Sequence, residues 1–549
     1  MTKVTPRTSP DHETTGWPPG VPYIIGNEGC ERFSFYGMRA ILTMYLARVL
    51  YLKHPIFGSD AEMYAQTHYH LFNAAVYAFP MIGAVIADRL FGKFHVILYL
   101  SMVYCAGHAC LAIFDDNVWG FWTGLGLIAV GSGGIKPCVS ANVGDQFGRK
   151  NWFRVPSIFQ AFYWIINFGS LLATLLIPWL WDHLGPSVAF GVPGVLMAIA
   201  TLVFWLGRDR FVHVPPQPGG KLGVLDAISS ILMLGTFLHL FFTGGLPWPV
   251  QIAISVACLI AGLAVFAWRQ RIAPDDGFLA VLLYSFGLRF ARPPRATPPE
   301  PHAEERVSPE VAGRRSKLRE SRLFGPGVQR FGIEAAEGPF AVLNIISVFF
   351  LVSIFWALFD QHGSSWILQA DRMNRMFFGV EINPSQVPAL NPGLVVLLIP
   401  FANGVIYPLV EKLGFRATPL RRMTAGMVLA AASFVVVALI QQALDANGPG
   451  SVHVSWQLIA YVILTLSEVF VSITGLEFAY TQAPRRMKST IMGFWLLTIS
   501  LGNVLVSVVS QIKLPPVQFF WAFAGLMFAA GLLFGLRAYF YKQQDYVQE

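Results

Sequence analysis

Fourteen apolar segments recur along this chain, and they constrain its fold more than any other feature of the sequence. Each is long enough to cross the hydrocarbon core of a bilayer, which takes about 20 residues of helix. Because the bilayer interior offers no water to unpaired backbone groups, such segments cross it as α-helices. Only 13% of the 549 residues are charged, whereas soluble proteins have about 25%. The sequence therefore predicts an all-α membrane protein.

The apolar segments form two groups of six, with two further segments between the groups. We therefore expect two six-helix bundles with two extra transmembrane helices between them. An even number of inserted spans leaves the orientation of both bundles unchanged. The first group lies near 21–50, 70–90, 95–114, 119–141, 156–181 and 188–207; the extra segments near 222–243 and 249–269; and the second group near 338–360, 391–411, 422–444, 454–480, 490–512 and 516–541.

The region between the two groups changes character after the second extra segment. From about 271 to 337 the chain is charged and Pro-rich, which is typical of a partly disordered cytoplasmic linker. Within it, Phe278–Leu288 is too short to span and is expected to lie along the membrane surface. The predicted domains are a tail (1–20), an N-terminal bundle (21–207), a linker with the two extra helices (208–337), a C-terminal bundle (338–542) and a second tail (543–549).

Basic residues mark alternate loops between the apolar segments. Arg89 and Lys93 lie in one such loop, and Arg485 and Arg486 lie in another. By the positive-inside rule, both termini of this multi-pass protein are expected in the cytoplasm. The membrane is expected to be a bacterial inner membrane. The net charge of +8 therefore reflects these loops and does not indicate nucleic-acid binding.

Four charged residues lie within the first apolar segment: Glu28, Glu31, Arg32 and Arg39. A charged side chain at the bilayer centre costs roughly 2.5–3.5 kcal/mol on insertion scales. The first three stand at i, i+3 and i+4, and Arg39 lies two turns further on, so all four share one helix face. We expect them to face a polar cavity and to pair there, which indicates a path for an ion or a substrate.

The surrounding sequence, GNEGCERFSFYGMRAIL, resembles the ExxERFxYYG motif of proton-coupled oligopeptide transporters, with Phe35 in place of the first Tyr. Segment 131–147 resembles the fourth-helix signature of that family, from which Asn142 and Val143 depart. FYWIINFGSL, FWALFDQHGSSW and SEVFVSITGLEF resemble its signatures in the fifth, seventh and tenth helices. GAVIADRLFGK resembles the loop signature of the major facilitator superfamily, to which the family belongs.

This resemblance implies the major facilitator fold, in which substrate binds near the midplane between two halves that rock to expose it to either side. It assigns Lys136 to the carboxylate of a peptide and Glu468 to its amine. The same two residues, and Arg39 with Asp360, are expected to form ion pairs between the halves that act as gates. A purely structural pairing of the halves is the alternative for both pairs.

The resemblance also implies a proton site at Glu28, Glu31 and Arg32, with His70 as a further protonatable group. Two carboxylates beside one Arg need not both stay ionised, so a proton can move on and off this cluster. Which carboxylate takes the proton is left open. His70 can instead be a hydrogen-bonded residue of helix packing.

Further residues are carried over as substrate-binding candidates. Polar groups among them can bond the peptide backbone, or they can form ordinary interhelical hydrogen bonds. The aromatic ones can shape the pocket or simply pack. With Lys136 and Glu468, the set comprises Arg32, Tyr36, Tyr77, Tyr163, Asn167, Asn391, Ser472, Trp356 and Trp495.

The sequence thus predicts a symporter that imports di- and tripeptides with protons and works as a monomer in the lipid bilayer. It is not expected to be an enzyme, to bind nucleic acid or to hold a metal or a cofactor, the proton being the coupling ion. The five cysteines lack metal-ligand spacing and are read as free thiols. The alternatives are a transporter of nitrate, an organic anion or a drug, and a peptide sensor that does not transport.

Overall fold

The chain is helical through nearly all the residues that a computed structural model describes, which are 7–239, 246–287, 309–414, 416–482 and 488–541. The strands among them form one short antiparallel hairpin, β1 (Met376–Phe377) with β2 (Val380–Glu381). The α-helices are α1 (Val21–Tyr45), α2 (Ala61–Ile86), α3 (Lys93–Ile113), α4 (Val118–Asp145), α5 (Val155–Leu184), α6 (Pro186–Leu206), α7 (Gly220–Leu238), α8 (Trp248–Ile272), α9 (Phe278–Ser285), α10 (Pro309–Glu320), α11 (Gly325–Phe331), α12 (Ile333–Phe359), α13 (Ser365–Asp371), α14 (Leu390–Phe401), α15 (Tyr407–Lys412), α16 (Pro419–Asn447), α17 (Gln457–Glu468), α18 (Thr474–Thr481), α19 (Lys488–Ser510) and α20 (Pro516–Phe540).

Twelve helical segments among the described residues are long and apolar enough to cross a membrane. Helix α1 is not one of them, because its four charged residues lower its hydropathy. It nevertheless has 25 residues and is therefore about 37 Å long, enough to span a bilayer. Helix α7 is also outside the twelve; it has 19 described residues, and the end of its predicted span, 240–243, lies outside the described part of the chain.

Several helices differ in extent from the predicted spans. Helix α2 begins at Ala61, nine residues before the predicted start at 70, because polar residues such as Glu62 extend it beyond the apolar segment. The predicted span 454–480 is divided by one turn of π-helix at Val469–Ile473, directly after Glu468. Such turns widen a helix locally and are common at functional sites.

Contacts between helices divide the chain into two compact units. The first contains the described residues up to Gln217, with Leu351–Gly475 and Leu496–Ala538. In its N-terminal part, α1 packs against α5 and α6, and α3 packs against α4 and α6. Helix α2 meets α4 at two glycines, since a Cβ on Gly83 would lie 2.5 Å from the backbone of Gly134.

The N-terminal and C-terminal parts of the first unit meet at the end where α1 ends and α2 begins. We call this the outer end, because the sequence predicts that it is extracellular. There α1 contacts α13, and α5 contacts α14. Asn383 Nδ2 donates to Asp182 Oδ1 at 2.8 Å, and Thr43 Oγ1 donates to the carbonyl of Gly363 at 2.7 Å. Bonds between the two parts therefore hold the outer end together.

The second unit contains Pro218–Phe350, Leu476–Trp495 and the described residues from Tyr539. Within it α7 and α8 form a helical hairpin, in which Arg269 Nε donates to Asp226 Oδ1 at 2.7 Å. Part of the predicted linker is ordered: α9, α10 and α11 pack together around Val281, Leu318 and Phe324. The most Pro-rich stretch of that linker, 288–308, and the predicted tail from 543 lie outside the described residues.

The N-terminal segment 7–20, predicted as a tail, lies against loops of the first unit. The backbone N–H of His213 donates to the carbonyl of Arg7 at 2.7 Å, and Lys150 forms an ion pair with Glu13. These bonds give the segment a fixed path before α1 begins.

Candidate functional site

A cavity of about 230 Å³ lies between the N-terminal and C-terminal parts of the first unit. Helices α1, α2 and α5 line it from one side, and α14 and the π-turn after α17 line it from the other. The cavity therefore brings together residues that lie hundreds of positions apart in the sequence. The predicted site residues that line it are Tyr36, Arg39, Tyr77, Asn167, Trp356, Asp360, Asn391, Glu468 and Ser472.

Glu468 lies at the last position of α17, on the C-terminal side of the cavity. Asn391 Nδ2 donates to Glu468 Oε2 at 2.8 Å and lies 3.2 Å from Thr465 Oγ1. The described residues give Glu468 no cationic partner within 4 Å. The carboxylate is therefore held by an amide and can accept a cation such as a peptide amine.

Arg39 and Asp360 form an ion pair between the two parts, with 2.6 Å between Nη2 and Oδ1. Both are buried, and each has a second partner. Arg39 Nε donates to the hydroxyl of Tyr69 at 2.6 Å, and Asn503 Nδ2 donates to Asp360 Oδ2 at 2.6 Å. We call these residues, with His70 and Ser364, the gate network.

His70 joins the gate network rather than the carboxylate cluster with which the sequence analysis grouped it. Its Nδ1 lies 2.7 Å from Asn503 Oδ1, and its Nε2 lies 2.7 Å from Ser364 Oγ. Since an amide oxygen only accepts, Nδ1 donates, and a neutral ring then accepts from the Ser364 hydroxyl. A second proton on His70 would turn that hydroxyl toward the carbonyl of Gln361, which is 3.4 Å away.

Glu28, Glu31 and Arg32 form a compact buried cluster on α1, which we call the inner cluster together with Ser132 of α4. Arg32 Nε lies 2.7 Å from Glu28 Oε1 and 3.3 Å from Glu31 Oε2. Ser132 Oγ donates to Glu31 Oε1 at 2.6 Å. One guanidinium therefore serves two carboxylates, as the helical spacing predicts.

Lys136 does not form the predicted ion pair with Glu468. Its Nζ is buried and has no hydrogen-bond partner among the described residues, although its stem is partly exposed. Instead the ammonium lies 4.0 Å from the ring centroid of Phe35 and 4.8 Å from that of Tyr77. The predicted gate between Lys136 and Glu468 is therefore not formed in this conformation, because the two aromatic rings hold the lysine on the N-terminal side.

The two substrate-binding candidates on α5 differ in their position relative to the cavity. The side chain of Asn167 lines the cavity, and its Nδ2 donates to the carbonyl of Tyr163 one turn earlier at 2.9 Å. Tyr163 is 42% exposed and does not line this cavity. The face shared by these residues thus reaches the cavity through Asn167.

Of the two tryptophan candidates, Trp356 lines the cavity and packs edge-on against Phe355 and Phe359. Trp495 belongs to the second unit and packs against Phe349 there, with 5.1 Å between the ring centroids.

Sequence reasoning missed several polar residues that complete these networks. Tyr69, Ser132, Ser364 and Asn503 each bond a predicted site residue. Ser132 and Ser364 lie within segments that resemble the family signatures, so the sequence could have indicated both as site residues. Asn503 is one amide in an apolar segment, and no feature of the sequence links it to His70.

The outer end carries a second cavity of about 500 Å³. Two ion pairs join the two parts of the unit beside this cavity: Arg48 Nη2 lies 2.9 Å from Asp371 Oδ2, and Arg372 Nη2 lies 2.7 Å from Glu62 Oε2. Within the N-terminal part, Arg48 Nη2 also lies 2.8 Å from Glu62 Oε1. These pairs close the outer end beyond the gate network.

The chain is similar in sequence to one protein family and to several known proteins. A family model described as PTR2, the POT family, matches residues 94–240 and 335–518. Peptide transporter family 2 of Caenorhabditis elegans is 32% identical over 457 residues, which cover 79% of this chain and 49% of that protein. The chain spans about half the length of the curated relatives it matches.

Solved structures match over nearly the whole chain. The POT family transporter PepTSo is 37% identical, with a TM-score of 0.76, and the match covers 96% of this chain and 99% of that one. An auto-inhibited POT family peptide transporter is 38% identical, with a TM-score of 0.75, covering 97% and 99%.

Proposed function

The chain belongs to the POT family of membrane transporters, and we propose that it imports di- and tripeptides together with protons. Its match to PepTSo also confirms the predicted all-α major facilitator fold. It is therefore a multi-pass membrane protein. Its relatives include proteins named as peptide transporters, which supports peptides as the substrate class.

The observation that carries this proposal is a carboxylate that lines the cavity from the C-terminal side, Glu468, together with a buried ammonium, Lys136, that lies against Tyr77 of the N-terminal lining. Glu468, held by Asn391, lies on the C-terminal side, where it can bind the amine of a peptide. On the N-terminal side, Tyr36 of α1 lines the cavity one turn after Arg32, and the Lys136 ammonium is buried with no hydrogen-bond acceptor among the residues that the structure describes. A zwitterion bound between these groups would pull the two parts together, whereas a simple anion would leave Glu468 without a partner.

Proton coupling would act through the inner cluster. With both carboxylates ionised, Glu28 and Glu31 share Arg32. Adding a proton to either one releases Arg32 from that carboxylate only, and the part of the guanidinium released in this way can bind a substrate carboxylate. Proton and peptide would therefore bind cooperatively. Protonation makes Arg32 available to the substrate carboxylate, and binding of that carboxylate to Arg32 favours protonation of the glutamate that it replaces.

Alternating access would require the outer end to open. The gate network and the ion pairs of Arg48 and Arg372 hold it closed in this structure. Substrate from the outside would reach the central cavity only when these bonds break, and binding between the halves would then favour their re-formation.

The proton gradient supplies enough energy for accumulation. One proton moving inward gains about 2.3 kcal/mol per 100 mV and about 1.4 kcal/mol per unit of pH difference. Together these support accumulation of a neutral peptide by about a few hundredfold. We further propose that the chain works as a monomer in a bacterial inner membrane, with both termini cytoplasmic, and that it has no enzymatic activity and uses the proton alone in place of a cofactor.

The test is uptake of labelled dialanine into proteoliposomes, with and without an inward proton gradient. We expect accumulation that needs the gradient and disappears with an uncoupler. The Glu28→Gln variant, which cannot carry the proton, should still exchange peptide but should not accumulate it. Glu13→Gln is the matched control, because Glu13 lies in the exposed N-terminal segment.

Other outcomes would favour the alternatives. Uptake that only equilibrates would indicate a facilitator, and uptake of labelled nitrate that dialanine does not inhibit would indicate an anion transporter. Dialanine binding without any uptake by a well-folded protein would indicate a sensor.

A further inference from the structure

Phe35 is the position at which the α1 motif departs from its family pattern, and the structure gives this residue a specific contact. Its ring is fully buried and lies 4.0 Å from Lys136 Nζ. Neighbouring rings fix its position: Tyr36 lies 5.4 Å away, edge-on, and Phe72 lies 6.3 Å away. Phe35 therefore presents a rigid aromatic face to the ammonium.

The ammonium itself is only partly satisfied. A buried ammonium normally pairs with a carboxylate or donates several hydrogen bonds, because loss of its hydration is costly. Lys136 Nζ has neither among the described residues. It has the faces of Phe35 and Tyr77, which attract a cation but accept no conventional hydrogen bond.

Glu31 is a carboxylate close enough to be an alternative partner of the Lys136 ammonium. Ser132 precedes Lys136 by one turn of α4 and is bonded to Glu31. Without the rings, Lys136 could therefore turn to Glu31 and share the carboxylate with Arg32. It would then be neutralised, and the inner cluster would bind two cations.

We propose that Phe35 is a positioning residue that, together with Tyr77, keeps Lys136 away from Glu31 and ready for the carboxylate of the substrate. An aromatic ring suits this role because its face attracts the ammonium without offering it a conventional hydrogen-bond acceptor. The charge on the peptide carboxylate is thus recognised by Lys136 rather than by the residue at position 35. This inference rests on the proposed peptide transport.

The transport test compares dialanine with dialanine amide, which lacks the terminal carboxylate. For Phe35→Leu we expect KM for dialanine to rise about tenfold, a change of about 1.4 kcal/mol in binding, with little change in the maximal rate. KM for the amide should not change, because the amide offers no carboxylate to Lys136. Phe35→Tyr keeps an aromatic ring at this position and should therefore keep KM for dialanine near the wild-type value.

Phe121→Leu is the matched control. Phe121 is also fully buried, but it packs against Tyr45 and Phe190 instead of the lysine. An equal rise of KM in both leucine variants, or an equal rise for dialanine and its amide, would overturn the proposal and assign Phe35 a packing role.

A second measurement does not depend on transport. In full-length protein labelled with [13Cε]lysine in lipid nanodiscs, ring currents should shift the Lys136 Hε signals upfield. The Lys136→Arg variant assigns these signals. The shift should be lost in Phe35→Leu and kept in Phe35→Tyr.

An unshifted Lys136 signal in the wild-type protein would overturn the aromatic contact directly. If the wild-type protein carries no dialanine while the ring-current pattern holds, the proposed function fails but the positioning of Lys136 by Phe35 stands. The two failures are therefore distinguishable.

Discussion

The gate network and the inner cluster are both buried and charged, yet their bonding differs. In the gate network, Arg39, Asp360 and His70 each have two polar partners. In the inner cluster, one Arg serves two carboxylates, and the described part of the chain offers Lys136 no hydrogen-bond acceptor. A fully bonded network stabilises one conformation, whereas an incompletely bonded one can exchange partners with a proton or a ligand. We therefore expect the first region to contribute conformational stability and the second to bind the proton and the ligand.

The largest effect is expected from the inner cluster. Glu31→Gln keeps a group that can accept from Ser132 but cannot take up a proton. Steady-state accumulation of dialanine should fall from the few hundredfold that the gradient supports to about one, while exchange of peptide across the membrane continues. Accumulation ratios in proteoliposomes measure this. Full accumulation by Glu31→Gln would mean that coupling does not need this carboxylate.

In the gate network the effect should appear in stability. Asp360→Asn leaves Arg39 buried without its counter-ion, which typically costs about 3–5 kcal/mol. Thermal and denaturant unfolding in detergent would measure the loss. The double variant Arg39→Gln/Asp360→Asn should regain much of it, because no buried charge is left unpaired. Equal losses in the single and double variants would contradict the pairing.

Variants of His70 test whether this residue acts in the gate network or in the proton pathway. Because it bridges Asn503 and Ser364, His70→Ala should lower stability by about 1–3 kcal/mol. His70→Gln, which can still donate to Asn503, should lose less. The pH dependence of uptake should be kept in His70→Gln if this residue acts through the gate. A shift of that pH profile with unchanged stability would instead return His70 to the proton pathway.

The smallest effect is expected at the surface of the outer end. Lys513 Nζ lies 2.9 Å from Asp60, and this hydrogen bond raises the pKa of Lys513 above its ordinary value of 10.5. A raised lysine pKa gives stability that is present below the unfolded pKa and is lost as the pH rises through the folded pKa. Wild-type protein should therefore melt slightly above Lys513→Ala at neutral pH, and the difference should vanish in strongly alkaline buffer. Salt should also reduce it. A difference independent of pH would rule out the ion pair as its cause.

The sequence predicted much of the helical framework, but not its detailed bonding. Hydropathy located the membrane helices, and i, i+4 spacing placed Glu28 beside Arg32. It missed the polar extension of α2. It did not specify which part of the linker is ordered, because burial of Val281 and Leu318 depends on contacts between separate helices. The family resemblance paired Lys136 with Glu468, whereas the rings of Phe35 and Tyr77 hold the lysine.

The sequence by itself thus determined the class of molecule and the residue types of its site, because hydropathy and motif spacing are local properties of the chain. Only the tertiary structure decided which side chains bond. His70 and Asn503 are 433 residues apart, and their contact exists because the two parts of the first unit pack at the outer end. Charge alone does not select a partner in a buried site. Distance, competing acceptors and neighbouring rings do, and these are fixed by packing.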